Sequence, residues 1–236
     1  MTVKNCPSYQ ILIPAYNAGK TLSVLLDELM SMIPAPLGIT VVDDGSSDET
    51  AMLCRSYPVE IFRNPVNQGK GSALKTGFEA FLTSAQADYL LCMDADLQHP
   101  AASISDFLEK AEQTADRFII GSRKRTAQQM PVHRILSNLL TSRLLSMLTK
   151  QKIEDSQCGF RLIHRDVLQK ISLLENGFQL ESEMLLKAAR AGVRISFVPI
   201  PTIYAKEKSS MRNLQDTLRF IRLIVRYLVR KNEGIS

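Results

Sequence analysis

The chain has no Cys-x-x-Cys pair. Its four cysteines, at positions 6, 54, 92 and 158, show none of the spacing of a structural zinc site and describe no disulfide framework. A reduced, cytosolic setting is the expectation. Long hydrophobic runs are also missing: no stretch reaches the roughly 18 apolar residues of a spanning helix, and Met1 to Gln10 holds no apolar segment of signal-peptide length. The chain is therefore not expected to cross a membrane by itself. Internal repeats, low-complexity tracts and linker-like segments are absent, which argues against a second independent domain. Neither sign of charge dominates, since 29 Lys+Arg against 24 Asp+Glu leave +5, and local patches matter more than that total. What is present is 236 residues, 45% hydrophobic and 22% charged, enough for one large globular domain with a substantial core.

The first half alternates short β-rich runs with longer periodic segments. Strands are expected at 9–13, 39–43, 59–63, 89–94 and 118–121, each followed by a helix, which implies an α/β fold with a mostly parallel sheet. Ser46 and Glu49 are spaced as a capping box for the second helix. After Gly121 the alternation breaks down: a helix is expected over 131–148, a polar turn over 155–161, a helix over 181–191 closed by Gly192, an apolar β-rich stretch over 193–204 and a last helix over 213–231. In such sheets ligands bind at the carboxyl ends of the strands. The polar clusters at 14–17, 43–47, 67–71 and 94–99 all follow strands at that end, so four loops are expected to face one crevice.

Asp94-Ala95-Asp96 stands where an apolar strand runs out. Side chains at i and i+2 of a strand project to one side, so the two carboxylates are expected to converge on one hard cation. Mg²⁺ or Mn²⁺ takes one or two protein carboxylates and completes its shell with water and phosphate oxygens, which points to a nucleoside diphosphate ligand. Two other stretches imitate known phosphate loops. Residues 14–21 follow a Walker A pattern except that Pro14 replaces the first glycine, losing an N–H and the freedom of the turn. Gly69-Lys70-Gly71-Ser72-Ala73-Leu74 begins like a dinucleotide fingerprint, but Leu74 stands where the third glycine belongs, in the third unit rather than the first.

Taken together, Pro14-Ala15-Tyr16-Asn17, Val41 to Asp48, Asn67-Gln68-Gly69-Lys70-Gly71 and Asp94-Ala95-Asp96 resemble, in order and spacing, the family 2 glycosyltransferases of the GT-A fold. The match continues through Gly121-Ser122-Arg123 to Asp155-Ser156-Gln157-Cys158-Gly159-Phe160-Arg161, which is similar to the acceptor-side motif of the dolichyl-phosphate and polyprenyl-phosphate glucose and mannose synthases. The resemblance covers about residues 8–212. It implies a single GT-A domain over 1–212, with a nucleotide-sugar half at about 8–121 and an acceptor half at about 122–212, followed by a basic amphipathic helix in 213–236.

What the resemblance implies for individual residues fits their chemistry. Pro14, Tyr16, Asn17, Asp43, Asp44, Lys70, Lys75, Asp94 and Ala95 are assigned to the nucleotide sugar. A buried carboxylate accepts two hydrogen bonds, which suits Asp44 to a ring N–H of uracil or guanine and Asp43 to the turn. Lys70 and Lys75, near a helix N-terminus, suit a diphosphate. Asp94, Asp96 and Gln98 would hold the metal, whereas His99 reads as a packed or solvated turn residue. The transition state parts a positive sugar from a diphosphate gaining negative charge, which the metal and lysines stabilise. Asp96 and Asp155 are the expected catalytic carboxylates. A hydroxyl acceptor needs a general base, for which Asp155 is the candidate, while a polyprenyl phosphate arrives ionised and needs cations. Arg123, Lys206 and Lys208 would supply them, although the lipid-phosphate synthases tend to carry arginine in this late loop.

In the last helix, Arg219, Arg222, Arg226 and Arg230 fall on one stripe, and Leu214, Leu218, Ile221, Ile224, Val225 and Leu228 on an opposing one. Such a helix lies on an anionic membrane or packs on the domain with solvated arginines. The expectation is an inverting, metal-dependent hexosyltransferase using a UDP- or GDP-sugar and a polyprenyl phosphate, peripheral on the inner face of the membrane and with no nucleic-acid partner. A glycan hydroxyl acceptor and a non-catalytic nucleotide-binding recruiter are the alternatives. A sugar-1-phosphate nucleotidyltransferase would need a Gly-rich, basic first loop, which residues 14–17 do not supply.

Overall fold

The structure is a computed structural model, and it describes residues 7–32, 34–84, 86–123, 132–203 and 213–232. Strands β1 (Tyr9–Ala15), β2 (Ile39–Asp43), β3 (Glu60–Arg63), β4 (Tyr89–Cys92), β5 (Phe118–Arg123), β6 (Arg161–His164) and β7 (Ile195–Ile200) form one sheet in the order β3-β2-β1-β4-β6-β5-β7. The β1–β2, β1–β4, β2–β3 and β5–β7 pairs are parallel, while β6 runs antiparallel to both neighbours. This is the expected mostly parallel sheet with one reversed strand. β6 follows the 155–161 turn, where only the turn itself is foreseen from sequence, and it joins the two halves by sitting between β4 and β5.

The central strands are apolar on both faces, as helix-covered strands must be: Ile11, Leu12 and Ile13 in β1, and Leu90 and Leu91 in β4, are fully or almost fully buried. Helices α1 (Gly19–Met30), α2 (Thr50–Cys54), α3 (Lys70–Thr83) and α4 (Ile104–Thr114) connect these strands. In α1, Leu22, Leu25, Leu26 and Leu29 make one buried stripe, and in α4 Ile104, Phe107, Leu108 and Ala111 do the same. α3 lies against β1 and β2. It approaches closely because Gly77 has no Cβ, which would collide with the Leu12 side chain.

The second half adds α5 (Val132–Thr149), α6 (Arg165–Lys170), α7 (Gln179–Arg190) and α8 (Asn213–Asn232). α8 packs on α7 and turns Phe220, Leu223, Ile224 and Tyr227 toward the core, with Leu223 and Ile224 buried, and Arg226 Nη1 is 3.0 Å from Glu175 Oε1. Leu218, Ile221, Val225, Leu228 and Val229 are exposed on the far side. The single apolar stripe expected from sequence is thus divided: Ile224 faces the domain, Leu218, Ile221, Val225 and Leu228 face outward, and the Leu214 side chain lies outside the described residues. Among the described residues no helix is long and apolar enough to cross a membrane.

Candidate active site

The loops after β1 and β2 are fastened to each other. Asn17, at φ +51°, donates its N–H to Ser46 Oγ (2.8 Å), and its Oδ1 accepts the Ser47 N–H (2.9 Å). The first N–H groups of α1 are taken up by the neighbouring loop, Ala18 N–H by Thr50 Oγ1 (2.9 Å) and Gly19 N–H by Asp48 Oδ2 (3.0 Å). The Walker-like stretch therefore offers no open phosphate cradle. The capping box is also corrected: α2 begins at Thr50, the Ser46 hydroxyl serves Asn17, and Asp48 Oδ1 accepts the Thr50 N–H instead (3.0 Å). Pro14 lies within β1 opposite Val42, and Tyr16 stands at the rim, about half exposed.

Asp43 is fully buried; its Oδ1 accepts the Ser46 N–H at 2.9 Å and its Oδ2 lies 3.1 Å from Arg63 Nε. Asp44 is 3% exposed, and its carboxylate accepts from Asn64 Nδ2 (2.7 Å), Gln68 N–H (3.0 Å) and Gly69 N–H (2.7 Å). A carboxylate has about four acceptor positions, so most of Asp44's capacity ties the end of β2 to the start of α3. Gly45, at φ +73°, lets this happen: a Cβ there would lie 2.6 Å from the Val66 carbonyl carbon.

β4 ends at Cys92, two residues before the expected end. Asp94 and Asp96 are consequently placed by a turn and not by strand pleat: Asp96 Oδ1 accepts the Gln98 N–H (3.1 Å), and Leu97 takes φ +61°. Ala95 is buried beneath. Lys70, the first residue of α3, puts Nζ 2.6 Å from Asp94 Oδ1 and 2.8 Å from Glu181 Oε1 of α7. Burial would raise the Asp94 pKa, but Lys70, His99 and Arg123 outweigh it and hold the carboxyl at about 2. Burial likewise works against charge on Lys70, and Asp94 and Glu181 overcome it, raising its pKa. For Asp96, burial and then the Asp94 charge push the pKa up.

The 155–161 segment closes over this cluster. A Cβ at Gly159 would lie 2.6 Å from Asp94 Oδ2 and 2.9 Å from Lys70 Nζ, so glycine is what allows the approach. Arg161, 2% exposed, binds the carbonyls of Ser156 (3.0 Å), Cys158 (2.8 Å) and Glu181 (2.9 Å) and shapes the turn from within. His99 is buried and stacked on Phe160, and its Nδ1 accepts the Asp94 N–H at 3.0 Å. At the start of α3, the Asn176 carbonyl accepts the Ser72 N–H and the Asn176 side chain takes Lys75. The loop before α7 thus covers the helix end to which a diphosphate was expected to bind.

Asp155 is fully buried. Arg123 donates to both of its oxygens, Nε to Oδ2 at 2.7 Å and Nη2 to Oδ1 at 3.0 Å, and Asn138 Nδ2 adds a bond at 2.8 Å. This is a planar two-point clamp. It aims the Arg123 guanidinium and engages the carboxylate that would otherwise be a free base. Lys206 and Lys208 lie outside the described residues. Glu181 and Asn138 were not foreseen: Glu181 is 111 residues from Lys70 in the chain, and neither belongs to a motif with local spacing.

Among the described residues no group of three or more His, Cys, Asp or Glu side chains could hold a metal. The carboxylate donors are Asp94 and Asp96, with Gln98 as the expected neutral donor beside them, which suits a hard dication that keeps water and phosphate in its shell and not a closed zinc or calcium cage. Asp94 already attracts a cation, the Lys70 ammonium at 2.6 Å.

The chain is 30% identical over 214 residues to a dolichyl-phosphate beta-glucosyltransferase of Trichomonas vaginalis, covering 80% of this chain and 64% of that protein. It is 27% identical over 218 residues to a UDP-N-acetylglucosamine–dolichyl-phosphate N-acetylglucosaminyltransferase of Methanococcus voltae, covering 83% and 86%. A solved structure of glucosyl-3-phosphoglycerate synthase from Mycobacterium tuberculosis, in complex with Mn²⁺, UDP and glucosyl-3-phosphoglycerate, shares the fold with a TM-score of 0.72 at 19% identity, covering 95% and 81%. The family model of Glycosyl transferase family 2 matches residues 10–172, more than half of the chain, and the sheet has the GT-A fold of that solved structure; the chain belongs to glycosyl transferase family 2.

Proposed function

We propose that this glycosyltransferase moves a hexose from a UDP- or GDP-sugar to a polyprenyl phosphate, with inversion at the anomeric carbon and with Mg²⁺ or Mn²⁺ as cofactor. The observation that carries the acceptor assignment is the Arg123–Asp155 clamp. A hydroxyl acceptor needs a base, and Asp155 is engaged by Arg123 and Asn138. A phosphate acceptor is already ionised and needs an oriented cation, which Arg123, held in plane by Asp155, supplies. The names of the relatives from Trichomonas vaginalis and Methanococcus voltae, both acting on dolichyl phosphate, support the same reading.

On the donor side, Asp94, Asp96 and Gln98 would hold the ion, which when bound offsets the charge that develops on the departing diphosphate. The fastened loops around Asn17, Asp44 and Gly69 give the crevice its shape, and much of the rate then comes from holding donor and acceptor phosphate in line. Tyr16, about half exposed, would cover the base. α8 brings the domain to the membrane in which the lipid acceptor lives.

Release of UDP or GDP tests the acceptor. Undecaprenyl phosphate in detergent should elicit stoichiometric release from the right nucleotide sugar, and soluble glycans should not. Release driven by glycans alone would replace the lipid phosphate with a hydroxyl acceptor.

A further inference from the structure

Lys70 is shared between two carboxylates from opposite halves of the molecule. Its ammonium is 2.6 Å from Asp94, on the turn that ends β4, and 2.8 Å from Glu181, in the first turn of α7. The group is closely walled: the Gly159 backbone leaves no room for a Cβ against either Lys70 Nζ or Asp94 Oδ2, and Nζ lies 5.9 Å from the Phe178 ring centroid. Glu181 is itself held, with Oε2 3.8 Å from the buried Arg161 Nη2. A lysine ammonium is a compact point charge on a flexible stem, and it can shift its weight between two such fixed acceptors without leaving the cluster. An ammonium and a dication on the same carboxylate repel each other.

We propose that Lys70 is the stand-in cation of the Asp94–Asp96 site, and that Glu181 is the positioning residue that receives its ammonium when a divalent ion takes Asp94. This rests on the metal-dependent reading given above. Glu181 thereby makes the site loadable: with that second acceptor in place, the displaced charge keeps a partner inside the protein. It also ties loading of the donor half to the acceptor half, because Glu181 sits beside the carbonyls and guanidinium that shape the 155–161 turn.

Mn²⁺ affinity of the full chain, measured by electron paramagnetic resonance without nucleotide, tests this. Lys70→Gln, which keeps N–H donors toward both carboxylates, should bind Mn²⁺ about tenfold or more tighter than wild type, and Glu181→Gln about tenfold weaker. In the Lys70→Gln background, the Glu181→Gln effect should shrink to about threefold or less, because the coupling runs through the ammonium. Equal or weaker binding by Lys70→Gln, or a Glu181→Gln loss of the same size in both backgrounds, would overturn the proposal while leaving metal dependence standing. If neither wild type nor variants bind Mn²⁺ with UDP or GDP present, the metal reading and this inference fall together. Nitrogen-detected NMR of the wild-type lysine ammonium groups gives the same answer without mutation: Mg²⁺ should abolish the Lys70–Asp94 coupling and keep the Lys70–Glu181 one. Retention of the Asp94 coupling in Mg²⁺ refutes the transfer.

Discussion

At Asp96 burial and the neighbouring Asp94 carboxylate both oppose ionisation, so this residue gains most from a bound cation. Asp96→Ala should lower the rate by on the order of 10²-fold or more, and EDTA should reproduce the loss. Nucleoside diphosphate release checks both, and full turnover in chelator would contradict the assignment. His99 carries a separate pH dependence. Burial pushes its pKa from 6.5 down to about 4, even with Asp94 nearby favouring the charged form. The unfolded chain therefore binds a proton between these limits that the folded chain refuses. The stability due to neutral His99 is complete above pH 6.5 and declines as the pH falls toward 4, by about 3 kcal/mol in all. Urea denaturation in EDTA at pH 7 and pH 4.5 should show most of that drop, and His99→Gln should flatten the slope. An unchanged slope would show that His99 is not the group responsible.

At the scale of the element, α8 carries apolar residues on two of its sides. At about 100° per residue, Phe220, Leu223, Ile224 and Tyr227 make the side packed on the domain, and Leu218, Ile221, Val225, Leu228 and Val229 make the side turned away from it. Arg219 and Arg222, both exposed, flank the outward apolar stripe, while Arg226 is drawn back to Glu175. An apolar stripe edged with arginine suits an anionic lipid surface. Because the stripe is exposed, Leu218→Gln, Ile221→Gln and Val225→Gln together should leave the thermal midpoint within a few degrees of wild type and abolish co-sedimentation with phosphatidylglycerol vesicles. Arg219→Gln with Arg222→Gln should remove about 2 kcal/mol of attraction, and wild-type binding should weaken with salt. If wild type and the triple variant sediment equally, α8 is a packing element alone.

For the whole molecule, the loops after β1, β2, β3 and β4 are joined to one another by hydrogen bonds and an ion pair, so a ligand bound across them stabilises the fold as a unit. A nucleoside diphosphate at one hundred times its dissociation constant should add roughly 2.7 kcal/mol. A thermal-shift panel with and without Mn²⁺ should therefore separate UDP from GDP, with the larger shift in the presence of the ion. Equal shifts for both nucleotides, independent of Mn²⁺, would count against a base-selective, metal-assisted donor site.

The parallel core and its polar strand-end loops were legible in the sequence, because buried parallel strands read as apolar runs such as Ile11-Leu12-Ile13 and Leu90-Leu91 and the loops after them must be polar. Asp94-Ala95-Asp96 and the 155–161 segment stood out in the sequence as well, and the structure brings them together where Gly159 meets Asp94. The capping box was misread because the Ser46 hydroxyl has a partner, Asn17, in another loop, and local spacing carries no knowledge of that loop. α8 was ambiguous for a similar reason: its apolar residues span more than one face, and which of them meets α7 depends on where the domain lies. β6 was missed because four residues after a polar turn are too short for a period. What the sequence determined by itself was the set of local periods and short-range motifs, and with them the fold class and family. The tertiary structure alone decided that Lys70 would stand between Asp94 and Glu181 and that Asp155 would hold Arg123, because those contacts join residues brought together by the sheet order, across separations over which the chain has no periodicity.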